Sequence, residues 1–281
     1  MTEQEFNDFM SAEGKNLYWN NYWVEFSQES NNKREYRGFW NKERTNWEGL
    51  GEIKHSDGSL YQGQTKKTLF NGKGRMTHSN GDVYQGHWID GKAHGFGVFS
   101  DTDGSMYAGD WKNDLQHGKG VETWEGGKIR YEGDFTDGKK TGKGKFVFGG
   151  SSYEGDFVDG KFEGKGKYYF ADTGRIYEGE FKDNNMHGQG LMTFPDGSTY
   201  SGDFKEGKME GQGIQTYKNG DRYVGQFKND FQHGTGIWYD INNQTKRQGE
   251  WGNGKRLSWL KPATEYHVTG YGDQEKGPVG G

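Results

Sequence analysis

The chain has 281 residues, including 50 glycines, three prolines and no cysteine, and its formal net charge is −5. The lack of cysteine excludes disulfides and cysteine-based zinc sites, and the mild charge does not predict nucleic-acid binding. Ten Trp, 17 Tyr and 18 Phe provide rings that disordered chains lack. No segment reaches the ~20 apolar residues of a membrane helix, and the N-terminus does not resemble a signal peptide. We therefore expect a soluble cytoplasmic protein.

Residues 1–35 are expected to form an N-terminal cap. The segment Leu17–Phe26 contains two aromatic runs separated by Asn20-Asn21, a pattern that predicts a strand, a turn and a second strand. Such a hairpin would cover the first edge of a sheet, since an open edge invites aggregation.

Residues 36–251 are built from a short repeat. Tyrosines recur at spacings of 22 to 25 residues, and from Tyr61 onward a Gly-x-Gly begins 11 residues after each of them. A tenth, partial repeat has Arg247 in the tyrosine position. Self-similarity at a fixed period indicates an array in which each repeat contacts only its neighbours. The nine tyrosines are Tyr36, Tyr61, Tyr84, Tyr107, Tyr131, Tyr153, Tyr177, Tyr200 and Tyr223.

Each repeat is predicted to be a hairpin of two strands. In the repeat that starts at Tyr177, alternation places Tyr177, Gly179 and Phe181 on one face, with a turn at 182–186 and a second strand near 188–194. Strand glycines are unfavourable, so we expect a ring from a neighbouring strand to lie flat over each bare glycine. The rings are predicted to form a continuous stacked spine: Tyr84, Trp88, Tyr107, Trp111, Tyr131, Phe135, Tyr153, Phe157, Tyr177, Phe181, Tyr200, Phe204, Tyr223 and Phe227.

The segment 153–166, Tyr-Glu-Gly-Asp-Phe-Val-Asp-Gly-Lys-Phe-Glu-Gly-Lys-Gly, closely resembles the MORN repeat (membrane occupation and recognition nexus), and the starts of the repeats at Tyr131 and Tyr200 resemble it too. The resemblance implies an all-β, elongated single-sheet antiparallel β-solenoid of about nine to ten hairpins. It also implies an interaction scaffold, since MORN arrays occur in radial spoke heads, cytoskeletal scaffolds and junctional membrane proteins. After the array, residues 252–281 are expected to form a C-terminal cap and a flexible Gly-rich tail.

Two further residue sets are candidate binding sites. Rings outside the spine are expected to anchor a partner, because interface energy concentrates in large aromatic side chains; these are Trp124, Phe146, Phe148, Tyr168, Phe170 and Trp238. Lysines concentrated in two adjacent repeats are a candidate anion site, although neighbouring acids dilute them; these are Lys139, Lys140, Lys143, Lys145, Lys161, Lys165 and Lys167.

No catalytic, metal or cofactor site is predicted. Four histidines precede a Gly-x-Gly, but equivalent residues of adjacent repeats lie about 10 Å apart, too far to share a zinc ion; they are His94, His117, His187 and His233. The column of acids at Asp110, Asp134, Asp156, Glu180 and Asp203 is interpreted as a solvated face. The segments flanking the array are too short to hold a kinase or methyltransferase domain, so an enzyme is not expected.

The leading hypothesis is a non-enzymatic scaffold for protein partners in a cytoskeletal or ciliary axonemal assembly, with a radial spoke head among the candidates. An exposed sheet edge also favours a homodimer. The alternative is a membrane-contact adaptor that binds anionic phospholipids through the lysines. Partners, binding face and oligomeric state are left open.

Overall fold

The structure, a computed structural model, describes residues 24–26, 34–41, 43 and 45–266. These residues form 22 β-strands and one 3-10 turn at Glu125–Gly127. The chain divides into two units, one comprising the residues up to Gly150 together with Asp156–Lys161, and the other Ser151–Gly155 together with the residues from Phe162 onward.

The strands of the first unit are β1 (Val24–Phe26), β2 (Arg34–Trp40), β3 (Trp47–His55), β4 (Leu60–Lys66), β5 (Leu69–Thr77), β6 (Val83–Ile89), β7 (Lys92–Ser100), β8 (Met106–Lys112), β9 (Leu115–Trp124), β10 (Ile129–Thr136) and β11 (Lys139–Phe148). Strands whose residues are divided between the units are β12 (Ser151–Val158) and β13 (Lys161–Phe170). The second unit continues with β14 (Arg175–Lys182), β15 (Asn185–Thr193), β16 (Thr199–Lys205), β17 (Lys208–Thr216), β18 (Arg222–Lys228), β19 (Phe231–Asp240), β20 (Thr245–Gly252), β21 (Lys255–Trp259) and β22 (Thr264–Glu265).

Consecutive strands pair antiparallel throughout each unit. In the first unit this order runs from β1 to β11. In the second unit it runs from β13 to β21, and β22 pairs with the start of β20. The prediction of an all-β antiparallel sheet in hairpin order is confirmed.

At the two ends of the array the structure describes only part of the predicted caps. Strand β1 pairs with β2, whereas residues 17–23 of the predicted N-terminal hairpin and the tail from 267 lie outside the described residues. The tenth repeat forms the hairpin β20–β21, and its Arg247 guanidinium lies 4.7 Å from the Trp259 ring centre and donates to the Lys261 carbonyl. In this repeat a cation–π contact between Arg247 and Trp259 therefore takes the place of the tyrosine found in the other repeats.

The turn inside most repeats is tighter than predicted. In the second unit, β14 and β15 are joined by Asp183 and Asn184 alone, with φ of +48° and +67°. Positive φ at both residues defines a type I′ turn, whose twist matches that of paired strands and which favours Asn, Asp and Gly. The second turn residue also links repeats, because Asn184 N–H donates to the Phe162 carbonyl and Asn184 Oδ1 accepts the Phe162 N–H.

Glu206, the first residue of the β16–β17 turn, has φ +51° and lacks the short polar side chain that this conformation favours. We expect Glu206→Asn to raise the free energy of unfolding by about 0.5 kcal/mol, measured by urea unfolding at constant m-value. The reverse change in the neighbouring turn, Asp183→Glu, should lower it by a similar amount. A destabilised Glu206→Asn protein would contradict this interpretation.

Each repeat carries a β-bulge beneath its tyrosine ring. In the pairing of β14 with β15 the register shifts between Gly179 and Glu180. The Tyr177 hydroxyl, fully buried, reaches over the bulge and donates to the carbonyls of Glu180 at 2.8 Å and His187 at 3.2 Å. The tyrosine therefore satisfies backbone acceptors that the bulge removes from the sheet ladder.

The expectation that a ring covers both glycines of each Gly-x-Gly is wrong for the first of them. A Cβ built on Gly190, the second glycine, would lie 2.5 Å from Tyr177 Oη and 2.6 Å from its Cζ, so this glycine is covered by the ring. Gly188, the first glycine, has φ +55° and faces the Glu180 carboxylate instead. The first glycine is needed for its left-handed backbone and the second for the close approach of the ring.

Candidate interaction surface

The sheet has an aromatic face, which carries the tyrosines, and a charged face on the opposite side. In the first unit Tyr131 pairs in register with Glu122 and Phe146, which therefore share its face. In the second unit Tyr177 pairs with Tyr168 and Met192 in the same way. Residues one position away, such as Glu132 and Lys145, point to the charged face.

The predicted spine rings lie on the aromatic face, and thirteen of the fourteen are buried, Trp111 being half-buried. They meet edge to face rather than stacked, which corrects the expectation of stacking. In the first unit Tyr131 contacts Phe135 at 5.2 Å and 90°, and Phe157 at 5.0 Å and 82°. Because each tyrosine lies flat over glycine, the next ring presents its edge to it, the arrangement that the ring quadrupoles favour.

The six predicted partner-binding rings also lie on the aromatic face, beside the tyrosines, and all six are half-buried. In the first unit Phe146 stacks on Phe148 with ring centres 5.0 Å apart. In the second unit Tyr168 meets Phe170 at 4.3 Å, and Trp238 pairs in register with Tyr223. We call these six residues the outer rings; Trp238 contacts the Tyr217 ring at 5.2 Å, and all six keep accessible surface.

The seven predicted anion-site lysines are divided between the two faces, and four of them form ion pairs with acids. Lys143 contacts Asp156 at 2.6 Å on the charged face of the first unit, and Lys167 contacts Glu178 at 2.9 Å on that of the second. Lys139 lies 3.0 Å from Asp159. Lys145, Lys161 and Lys165 also have partners. Ion pairing leaves these cations less available to an external anion.

Lys140 differs from the other lysines because it lies on the aromatic face. Its ammonium contacts Glu122 at 2.5 Å and lies 4.8 Å from the Trp124 ring centre and 5.3 Å from that of Tyr131. In most other repeats this position carries an apolar residue, for example Phe162, which stacks on Tyr153 at 3.8 Å. The sequence does not predict the Lys140 cluster, because Lys140 and Glu122 are 18 residues apart and belong to adjacent repeats.

A second polar cluster in the other unit occupies the equivalent position. Gln232, 7% exposed, donates to the Tyr217 hydroxyl at 2.7 Å and to Gln215 Oε1 at 3.3 Å. Burial raises the pKa of Tyr217 and keeps its hydroxyl neutral. Both clusters place hydrogen-bonded polar groups in the row next to the tyrosines.

The repeated acids have a structural role that the sequence did not indicate. Asp134 Oδ2 accepts the backbone N–H of Lys143 at 3.0 Å, next to Gly142 with φ +57°. Asp203 Oδ2 accepts the N–H of Gln212 at 2.7 Å in the same way. These carboxylates satisfy the donors that the bulges free, and Asp134 also forms an ion pair with Lys119 at 2.6 Å.

Among the described residues no three His, Asp or Glu side chains come together as metal ligands. His117 Nδ1 in β9 lies 3.6 Å from Asp137 in the β10–β11 turn of the next repeat, a contact between two side chains. Within the same part of the chain, no helix is long and apolar enough to cross a bilayer.

Comparison with solved structures gives only distant likenesses. The TCP domain of Drosophila melanogaster SAS-4 (dCPAP), in complex with a proline-rich motif of Ana2 (dSTIL), is 11% identical, with 63% of this chain and 83% of that chain covered and a TM-score of 0.31. The Drosophila melanogaster Sas-4 TCP10c domain is 13% identical, with 74% and 100% covered and a TM-score of 0.29. Virginiamycin B lyase from Staphylococcus aureus is 9% identical, with 84% and 83% covered and a TM-score of 0.15. TM-scores this low support no functional argument.

No curated protein matches the chain significantly. The family model of the MORN repeat, in contrast, matches eight consecutive segments: 61–83, 84–106, 107–129, 131–152, 153–175, 177–199, 200–222 and 223–245. Each matched segment starts at the tyrosine of one of the even-numbered strands from β4 to β18. The repeat at Tyr36 precedes the matched region. The eight segments cover more than half of the sequence, and the chain belongs to the MORN-repeat family.

Proposed function

We propose that the protein is a non-enzymatic scaffold whose aromatic face holds a segment of a partner protein within a cytoskeletal or ciliary axonemal assembly. The outer rings carry this proposal. The tyrosine spine already covers the glycines and satisfies the bulges, so the fold does not require a second set of large rings beside it. Half-buried Trp, Tyr and Phe side chains are the residues in which interface energy concentrates.

The spacing of the outer rings suits an extended partner. Adjacent repeats within a unit are two strands apart, about 10 Å. An extended polypeptide that crosses the strands advances about 3.3 Å per residue, so side chains two or three positions apart would meet Trp124 and Phe146 of adjacent repeats, whose ring centres are 6.3 Å apart. A segment held in this way makes many small contacts over a long path and needs no deep pocket.

The axonemal setting rests on family analogy. MORN arrays occur in radial spoke heads and cytoskeletal scaffolds, and the radial spoke head remains our preferred example. The phospholipid alternative has less support, because the lysines it needs are paired with acids such as Asp156 and Glu178. The proposal includes homodimerisation of the chain. Light scattering on the purified protein measures this oligomeric state.

The test uses the tagged full chain in a ciliated cell, with detergent extraction and isolation of axonemes. We expect the wild-type protein to stay in the axonemal pellet. Phe148→Ser in the first unit and Phe170→Ser in the second should each reduce the retained fraction about tenfold, because each removes an anchoring ring. Equal melting temperatures of the purified variants will show that the fold is intact.

The matched control is Phe96→Ser, which makes the same change on the charged face, where Phe96 is 51% exposed. It should leave retention unchanged. A wild-type protein found only in the soluble fraction would overturn the axonemal proposal, and equal loss in the control would exclude the aromatic face as the contact. Flotation with phosphatidylserine and phosphoinositide vesicles that is lost in Lys143→Glu would favour the lipid alternative.

A further inference from the structure

One depression on the aromatic face of the first unit is lined by both apolar and acidic side chains. It lies between the β7–β8 and β9–β10 turns and is lined by Asp103, Ser105, Trp124, Glu125, Ile129 and Phe146. Apolar side chains and carboxylates therefore converge on one small volume.

Turn geometry explains why the depression opens here. Successive turns on this side are elsewhere tied by hydrogen bonds, such as Thr102 N–H to Asp82 Oδ1 at 3.2 Å and Ile241 N–H to Asp221 Oδ1 at 3.0 Å. The corresponding bond from Glu125 to Ser105 does not form in the described structure. The β9–β10 connection instead contains a 3-10 turn, with φ of +65° at Gly126, which separates the two turns.

The walls of the depression are apolar. The rings of Trp124 and Phe146 are perpendicular, at 90°, with centres 6.3 Å apart. Ile129 pairs in register with Trp124 and adds an aliphatic side chain. A linear methylene chain fits between surfaces of this kind, as the stems of lysine and arginine do along apolar surfaces.

The rim of the depression is negatively charged. Asp103 Oδ1 accepts the N–H and hydroxyl of Ser105 at 3.0 and 2.7 Å, which fixes its carboxylate beside the opening. A hydrogen bond with Asp103 raises the pKa of neighbouring Asp101, as expected for two crowded carboxyl groups. With Glu125, these turns carry three acids against one cation, Lys128.

The chain itself shows that Trp124 accepts an ammonium group. Lys140 Nζ lies 4.8 Å from the Trp124 ring centre and is held by Glu122. Since Glu122 neutralises Lys140, this lysine does not neutralise the acids of the rim. The indole thus already takes part in one cation–π contact, and Asp103 and Glu125 lie beside it in the depression.

We propose that this depression binds a lysine or arginine side chain of the partner segment, with the stem between Trp124, Ile129 and Phe146 and the charged group between Asp103 and Glu125. This inference rests on the proposed scaffold function, because the side chain must come from a partner held on the aromatic face. It adds a specific requirement for that partner: one basic residue placed where the segment crosses the β9–β10 turn.

The probes are N-acetyl-lysine methylamide, the arginine analogue and the uncharged norleucine analogue. They are titrated into the full-length protein while the Trp124 indole N–H and the Ile129 methyl signals are followed by NMR. We expect both basic probes to shift these signals, and the norleucine probe to bind about tenfold more weakly because it loses the ion pairs with Asp103 and Glu125. Added salt should weaken the basic probes only.

Asp103→Asn and Glu125→Gln should each weaken the lysine probe about threefold, and the double variant about tenfold. The control is Asp196→Asn in the second unit, where Asp196 accepts the same two bonds from Ser198 at 2.9 and 2.6 Å but is not part of this depression. It should leave probe binding unchanged. Equal binding of lysine and norleucine probes, or binding unaffected by the double variant, would overturn the proposal.

The outcomes separate this inference from the scaffold function. If the wild-type protein stays with axonemes and Phe148→Ser is released, but the probes show no preference for positive charge, only the basic side-chain site fails. If the probes show that preference but the protein does not sediment with axonemes, the axonemal assignment fails and the site stands.

Discussion

Raising the pH above about 10 is expected to unfold the tyrosine-lined sheet in one cooperative step. Burial raises the pKa of Tyr223 to about 12. It also raises, to a greater extent, the pKa values of seven further tyrosines of the same row: Tyr36, Tyr61, Tyr84, Tyr107, Tyr131, Tyr177 and Tyr200.

The direction of the effect follows from proton linkage. An unfolded tyrosine has a pKa of about 10, whereas the buried phenols keep their protons to higher pH. Their contribution to stability is complete below pH ~10 and is lost as the pH rises toward the folded-state values, because only the unfolded chain releases these protons. Each group contributes a slope of about 1.4 kcal/mol per pH unit, and eight together give about 11 kcal/mol per pH unit, comparable to the stability of a whole domain.

Far-ultraviolet circular dichroism and tyrosinate absorbance, recorded together along the titration, provide the measurement. Loss of β-structure and ionisation of the buried tyrosines should coincide. Tyr200→Phe is the matched control: it keeps the ring but removes the bond to the Asp203 carbonyl at 2.9 Å, so it should be about 1 kcal/mol less stable at neutral pH and show a shallower alkaline dependence. Gradual ionisation of all tyrosines with the β-structure intact would refute the linkage.

Periodicity predicted the strands well because the same residue pattern recurs along the array, and each recurrence supports the same assignment of strands. The fixed spacing from each tyrosine to its Gly-x-Gly and the alternation around Tyr177 were enough to place the hairpins and the ring face. The bulge between Gly179 and Glu180 was missed, because alternation assumes a regular ladder and a bulge inserts a residue without any change in composition. This is also why the first glycine of each pair was assigned the wrong role.

The candidate surface was only partly predictable for a different reason. The outer rings could be selected because an aromatic residue outside the spine is visible in one sequence. The Lys140–Glu122–Trp124 cluster and the depression at Asp103 and Glu125 depend on contacts between adjacent repeats and on the variable turn between them. Repeat periodicity averages over these individual positions, so a consensus description of the repeat does not reveal them.

The close approach of tyrosine to glycine predicts the largest effect of a single methyl group in this chain. In Gly144→Ala the new Cβ would lie 2.6 Å from Tyr131 Cε2 and Oη, and 2.8 Å from Cζ. Tyr131 cannot yield easily, because it is fully buried and Phe135 and Phe157 contact its ring at 5.2 and 5.0 Å. We therefore expect a loss of about 3 kcal/mol in the free energy of unfolding, at the upper end of the range for overpacking.

Gly252→Ala separates this clash from the general effect of adding a methyl group to a strand glycine. Gly252 ends β20, and its new Cβ would meet only Leu257 Cδ1 at 3.3 Å, a side chain that is 65% exposed and free to rotate. This variant should unfold within about 0.5 kcal/mol of the wild type. Hydrogen exchange should show the loss in Gly144→Ala first in β10 and β11, since repeats couple mainly to their neighbours. If the two variants were equally stable, the tyrosine ring could not be what excludes side chains from the second glycine, and the physical basis of the repeat would have to be sought elsewhere.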